Sequence, residues 1–136
     1  MGAMGMTKIE TEEKTFIHRG MLTLASESIE ELVKFYQILL GKPPHPYRPD
    51  NYAEFEIPGG LRLVIFTPRQ DHRREFAAES SGSMSLCLEV GDLERAIAHL
   101  ESLGTPTSGL IVQASHGREI YAYDPDGNRL ILHQMD

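Results

Sequence analysis

The stretch PDGNRLILH, residues 125–133, predicts a tight turn followed by a β-strand, and it decides how the rest of the chain is interpreted. Arg129, Ile131 and His133 would lie on one face of this strand, because successive strand side chains point to opposite sides. A matching stretch, PGGLRLVIF, occupies residues 58–66, with Val64 in the place of Ile131. The chain therefore contains an internal repeat.

The repeat includes the segments that precede each of these strands. MLTLASESIEELVKFYQILLG at 21–41 matches SLCLEVGDLERAIAHLESLG at 85–104. Both begin with an alternating strand and continue as a helix whose apolar residues recur at helical spacing. Ser28 with Glu31 has the spacing of a capping box, and Asp92 is placed to cap the second helix.

Each predicted helix is followed by one weak strand and two clear strands. The weak strands lie at 45–48 and 110–114, and the clear ones at 51–57, 61–67, 117–123 and 128–134. Short Pro/Gly connections between the clear strands are typical of hairpins. The pattern is βαβββ twice, which predicts an α+β fold built from two modules.

The length and the repeat together define the expected domain organisation. A chain of 136 residues is long enough for one domain with a single core. We expect a tail with a cloning remnant at 1–15 and one domain at 16–134. Within that domain, module one covers 16–68, a linker 69–82 and module two 83–134.

Composition excludes several classes of partner. A net charge of −7 argues against nucleic acid, whose binding requires clustered Lys and Arg. No apolar run approaches the ~20 residues of a membrane span. The single cysteine, Cys87, cannot form an internal disulfide, so a cytoplasmic protein is expected.

The repeat and its motifs resemble the vicinal oxygen chelate superfamily of glyoxalases, bleomycin resistance proteins and extradiol dioxygenases. The resemblance rests on the paired modules, the FY…LG pattern from Phe35 to Gly41, the segment VGDLERAIAHLESLG and the DPDGN turn. It implies two four-stranded sheets that curl around a concave cleft, in a homodimer.

Metal-using members of that superfamily carry His, Gln or Glu at four strand positions. The resemblance places these positions at Met21, Val64, Ser85 and Ile131, none of which suits a hard or borderline divalent ion. The sequence therefore predicts no metal, no cofactor and no catalytic residue.

Strand alternation predicts which other side chains face the cleft. Glu54, Glu56 and Glu119 would add acidic groups to it, and Cys87 is expected to be a small packed residue. The predicted ligand-binding residues are Met21, Thr23, Arg62, Val64, Phe66, Ser85, Cys87, Glu89, Tyr121, Tyr123, Arg129, Ile131 and His133.

Three functions remain open from the sequence. The first is a metal-free protein that binds a small organic ligand in the cleft, where the glutamates favour a cationic one. The second is a metal-dependent lyase or dioxygenase with displaced ligands at Glu56, Glu89 and His133. The third is an interaction or regulatory domain with a vestigial cleft. The segment 67–83 is predicted to be either a flap over the ligand or a plain surface loop.

Overall fold

The computed structural model describes residues 16–77, 82–105, 107 and 109–136. The expected tail at 1–15 lies outside these residues, as do 78–81 of the expected linker. The elements of the first module are β1 (Leu22–Ala25), α1 (Ile29–Leu40), β2 (Tyr47–Arg48), β3 (Tyr52–Glu56) and β4 (Arg62–Phe66). Those of the second are β5 (Leu86–Glu89), α2 (Leu93–Ser102), β6 (Val112–Ala114), β7 (Gly117–Tyr123) and β8 (Arg129–Met135).

Both modules have the same sheet topology. The strand orders are β1-β4-β3-β2 and β5-β8-β7-β6. In each sheet the first strand pairs in parallel with the last, and the other neighbours are antiparallel. The two βαβββ modules predicted from the repeat are therefore present, and the α+β fold is confirmed.

The apolar faces of both helices and both sheets form one core. Leu32 and Tyr36 of α1 are fully buried, as are Leu93 and Leu100 of α2. The inward residues of β3, β4, β7 and β8 complete the same cluster, among them Phe55, Leu63, Ile65, Ile120, Leu130 and Leu132. The modules thus share a single core although their sheets are separate.

One of the predicted helix caps is wrong and the other is confirmed. Ser28 is the residue before α1, but within the described part of the chain its side chain makes no capping bond. Instead, the Ser28 amide donates to the hydroxyl of Ser26 at 3.0 Å. Asp92 caps α2 as predicted, since its carboxylate accepts from the Arg95 amide at 3.1 Å.

The expected linker contains a 3₁₀ helix, Gln70–Phe76. Its last residue, Phe76, packs edge-on against Phe66 of β4, with ring centroids 5.3 Å apart. Arg73 pairs with Glu27 at 3.2 Å. This segment is therefore anchored beside β1 and β4 over its described length. Among the described residues, no helix is both long and apolar enough to span a membrane.

Candidate functional site

Each sheet of the candidate site has a helix-packed face and an opposite face, which the superfamily resemblance implies to be concave and which is called the concave face below. Leu130 and Leu132 of β8 are buried against the helices. Arg129, Ile131 and His133 alternate with them and are half-buried on the opposite face. The period-two alternation of the repeat thus places the predicted row of side chains on the concave face.

Strand register arranges these side chains in cross-strand rows. In the first sheet one row joins Thr23, Val64 and Glu54, and its neighbours join Phe66 with Tyr52 and Arg62 with Glu56. In the second sheet the rows are Cys87–Ile131–Tyr121, Glu89–His133–Glu119 and Arg129–Tyr123.

The positions of the superfamily's metal ligands do not fit a metal. Met21 offers a thioether, Ser85 a neutral hydroxyl, and Val64 and Ile131 offer no donor. Val64 is only 4% exposed, so a bound ligand could reach it only after its neighbours moved. The Ser85 hydroxyl lies 3.2 Å from Nη1 of Arg129, whose positive charge would repel a cation there.

The alternative metal ligands of the second hypothesis, Glu56, Glu89 and His133, are only partly brought together. Nδ1 of His133 and Oε1 of Glu89 are 2.5 Å apart, so these two side chains lie together as expected. Glu56 is in the other sheet, opposite Arg62. Across the described ranges, no three His, Cys, Asp or Glu side chains are arranged to hold a metal ion.

The concave face of the first sheet is occupied by its own ionic network. The Glu54 carboxylate accepts from the Tyr52 hydroxyl at 2.6 Å and from Nε of Arg62 at 2.7 Å. Arg19 lies 3.6 Å from the same carboxylate. These contacts lower the pKa of Glu54, chiefly through the hydrogen bonds from Tyr52 and Arg62. The negative charge of Glu54 is therefore already compensated by the protein's own arginines.

The concave face of the second sheet is more open. Cys87 is exposed, which corrects the expectation that it is a packed core residue. Partial burial raises the pKa of its thiol, and the charges of Glu89 and Glu119 raise it further. Cys87 is consequently a poor nucleophile, and two carboxylates lie near it.

A pocket of about 330 Å³ lies at the seam between β1 and β5. Thr23, Ser85 and Arg129 line it, as the cleft assignment predicted. Glu75 and Phe76 of the 3₁₀ helix also line it, and sequence reasoning did not include them. The sequence signal that could have indicated this contact is that Phe76 is the only aromatic residue of the segment 69–82.

The fold defines a class of protein built from two βαβββ modules. A family model described as Glyoxalase/Bleomycin resistance protein/Dioxygenase superfamily matches residues 18–132. The chain belongs to this superfamily, as the motif resemblance indicated.

Several solved structures are similar to this chain. A glyoxalase-related enzyme from Fulvimarina pelagi is 21% identical, with a TM-score of 0.69, over 86% of this chain and 87% of its own. The S. aureus hypothetical protein SA1046 is 12% identical, with a TM-score of 0.74, over 90% and 98%. The fosfomycin resistance protein FosX from Listeria monocytogenes is 17% identical, with a TM-score of 0.69, over 90% and 96%.

At these identities the similarity shows the fold alone. One FosX structure contains Mn(II) and sulfate. A comparison with curated proteins gave no match.

Proposed function

We propose that this chain is a metal-free protein that binds a small organic molecule on its concave face. The observation that carries the proposal is the chemistry of the four superfamily ligand positions. They present a thioether, two aliphatic side chains and a hydroxyl that already contacts a guanidinium. A first-row divalent ion bound there would retain most of its water and would bind weakly.

The second sheet is the better surface for the ligand. Ile131 is half-buried between Cys87 and Tyr121, and this row forms an apolar floor. Glu89, Glu119 and His133 form the polar row beside it. An apolar floor with a few polar groups is typical of sites for small organic molecules.

Charge favours a cationic group on the ligand at this surface. Glu89 and Glu119 both act electrostatically on the Cys87 thiol, so their carboxylates lie close to the apolar floor. Glu54, by contrast, already has two arginines beside it. A cation is therefore expected beside Glu89 and Glu119 rather than on the first sheet.

A homodimer and a cytoplasmic location belong to the same proposal. Met21, Thr23, Ser85, Cys87 and Glu89 are exposed along the first strands of the two sheets, so one chain leaves this part of the surface open. A second copy would cover it. The lone exposed thiol suits a reducing compartment.

The two alternatives have weaker support. The displaced-ligand enzyme needs Glu56 beside Glu89 and His133, and Glu56 lies in the other sheet. A vestigial cleft requires that the protein's own side chains fill it, as they do around Val64. The concave face of the second sheet does not satisfy that condition, because Cys87 and Glu89 remain exposed.

The metal-free part of the proposal is tested by elemental analysis after incubation with Mn²⁺, Fe²⁺, Ni²⁺ or Zn²⁺ and desalting. We expect no metal to be retained, because the ligand positions lack suitable donors. Near-stoichiometric retention of any of these metals would contradict the proposal. Light scattering on the same samples measures the molar mass and tests the homodimer.

The ligand-binding part of the proposal is tested with benzamidinium as a cationic probe, whose binding is measured by NMR titration. Glu119→Gln should weaken binding by up to about fivefold, the value of a partly solvated ion pair. Glu101→Gln on the exposed end of α2 removes the same charge away from the site and should leave affinity unchanged. Equal effects of the two variants, or absence of saturable binding, would contradict a specific cation site.

A further inference from the structure

The pocket at the seam between β1 and β5 has a different chemistry from the polar row of Glu89, Glu119 and His133. Its polar lining residues include Thr23, Ser85, Asn128 and Arg129. Leu24, Phe76 and Met84 add apolar surface. Arg129 and His133 are four residues apart on β8, which separates the pocket from the polar row by about 13 Å of strand.

The guanidinium of Arg129 is only partly used by the protein. Its Nη1 donates to the carbonyl of Gly82 at 2.9 Å and to that of Met84 at 3.4 Å, besides contacting Ser85. Among the described residues, neither Nε nor Nη2 of Arg129 has a hydrogen-bond partner. One edge of the guanidinium therefore keeps two parallel N–H donors, the arrangement that binds a carboxylate with two hydrogen bonds.

The equivalent arginine of the first module shows the contrast. Nε of Arg62 donates to Glu54, and its Nη2 donates to the His45 carbonyl at 3.1 Å. The corresponding edge of Arg62 is thus already occupied. The repeat carries an arginine at both positions, but among the described residues it is the second-module copy whose Nε and Nη2 have no partner, and this arginine also lines the seam pocket.

The remaining charge at the pocket comes from Glu75 of the 3₁₀ helix. No ion pair joins Glu75 to Arg129 in the described part of the chain. The carboxylate of Glu75 would oppose a bound anion, so its position weakens the affinity that Arg129 supplies. The net charge of −7 on the whole chain also repels anions in general, so binding of an anion here requires specific contacts.

We infer that the seam pocket binds the carboxylate group of a small organic acid, held by Nε and Nη2 of Arg129, with its apolar part against Leu24, Phe76 and Met84. The hydroxyls of Thr23 and Ser85 are additional donors in the pocket. This inference extends the proposed function, because it assigns an anionic ligand group to the seam between β1 and β5. It does not depend on the cation preference of Glu89 and Glu119.

The test compares phenylacetate with the neutral phenylacetamide, which has nearly the same shape. NMR titration of the wild-type protein should show phenylacetate binding at least about tenfold tighter, with the largest shifts at the Thr23 and Ser85 amides. Arg129→Lys keeps a positive charge but lacks the paired donors, so it should lose most of this preference. Arg48→Lys on the exposed strand β2 is the matched control and should retain it.

Glu75→Gln supplies a second measurement that does not alter Arg129. It should strengthen phenylacetate binding about two- to threefold and leave phenylacetamide unchanged. Equal affinity of wild-type protein for the acid and the amide would overturn the inference. A full acid preference in Arg129→Lys would overturn it as well.

Benzamidinium separates this inference from the proposed function. Its binding should be weakened by Glu119→Gln. Absence of phenylacetate binding with retained benzamidinium binding would overturn the seam site alone. If neither probe binds, both the inference and the cation site are wrong.

Discussion

At the scale of single residues, Glu54 shows how the first sheet satisfies a carboxylate without a metal. Its side chain is only 12% exposed, and it accepts from Tyr52 and Arg62 while Arg19 lies nearby. Hydrogen bonds to the charged form favour ionisation, so the folded protein lowers the pKa of this carboxyl below its ordinary value of 4.5. Its contribution to stability is therefore present above that ordinary value and is lost as the pH falls through the folded-state pKa.

Glu54→Gln should therefore reduce stability at pH 7 by about 1 kcal/mol, because a neutral amide binds the guanidinium of Arg62 less strongly. The difference from wild type should shrink as the pH falls below the folded-state pKa, since wild-type Glu54 then also becomes neutral. Urea unfolding at pH 7 and at acidic pH measures both effects.

Glu56→Gln is the control for this change. Glu56 is exposed at the end of the same strand, and its carboxylate has no hydrogen-bond partner among the described residues. A stability loss of the same size in this variant, or a Glu54→Gln effect that does not depend on pH, would contradict the assignment.

At the scale of elements, the two helices begin in different ways although their sequences repeat. Asp92 caps α2 through the Arg95 amide. The hydroxyl of Ser28 caps nothing in the described structure, and Ser26 accepts from the Ser28 amide instead. The spacing of Ser28 and Glu31 therefore predicted where α1 begins but not which side chain satisfies its first amides.

Asp92→Ala should destabilise the protein by about 1 kcal/mol, because it removes the acceptor for an amide of the first helical turn. Ser28→Ala should change stability by no more than a few tenths of that amount, since its hydroxyl makes no capping bond. Urea midpoints of the two variants, measured together, check the difference. Equal losses would show that Ser28 caps α1 in solution.

At the scale of the whole molecule, a few polar contacts join the modules in addition to the shared core. The hydroxyl of Tyr36 in α1 donates to Oδ2 of Asp124 in the turn before β8, at 2.7 Å. Asp124 is 3% exposed and also accepts from the amides of Asp126 and Asn128. Nε2 of His99 lies 3.2 Å from the Ile38 carbonyl and joins the two helices.

Tyr36→Phe should cost about 1–2 kcal/mol at neutral pH, because it removes a buried hydrogen bond to a carboxylate. Burial, and then the charge of Asp124, raise the pKa of Tyr36 above its ordinary value of 10.0. The wild-type protein should therefore lose stability as the pH rises above that value, because the unfolded chain ionises this phenol first. This part of the loss of stability at alkaline pH should be absent in Tyr36→Phe.

Urea unfolding from pH 7 to alkaline pH measures this behaviour. Tyr121→Phe is the control, since the Tyr121 hydroxyl has no hydrogen-bond partner in the described ranges. An unchanged midpoint for Tyr36→Phe at pH 7 would show that the contact with Asp124 does not stabilise the pairing of the modules.

The internal repeat in the sequence was sufficient to predict the two βαβββ modules, the helix-packed faces and the concave row of each final strand. These features depend on local periodicity, because alternation and helical spacing fix which side of an element is apolar. The superfamily resemblance placed the metal-ligand positions at Met21, Val64, Ser85 and Ile131, whose side chains lack the chemistry of such ligands. The ligand-binding role of the concave residues stays a prediction.

The tertiary structure alone decided how those side chains are partnered. Glu54 and Arg129 lie at predicted positions. The charge of Glu54 is compensated by two arginines, whereas Nε and Nη2 of Arg129 have no hydrogen-bond partner within the described ranges. Phe76 and Glu75 reach the seam pocket only because the 3₁₀ helix packs beside β1. Such contacts join residues far apart in the chain, and they depend on the path of the backbone between elements, which no local periodicity encodes.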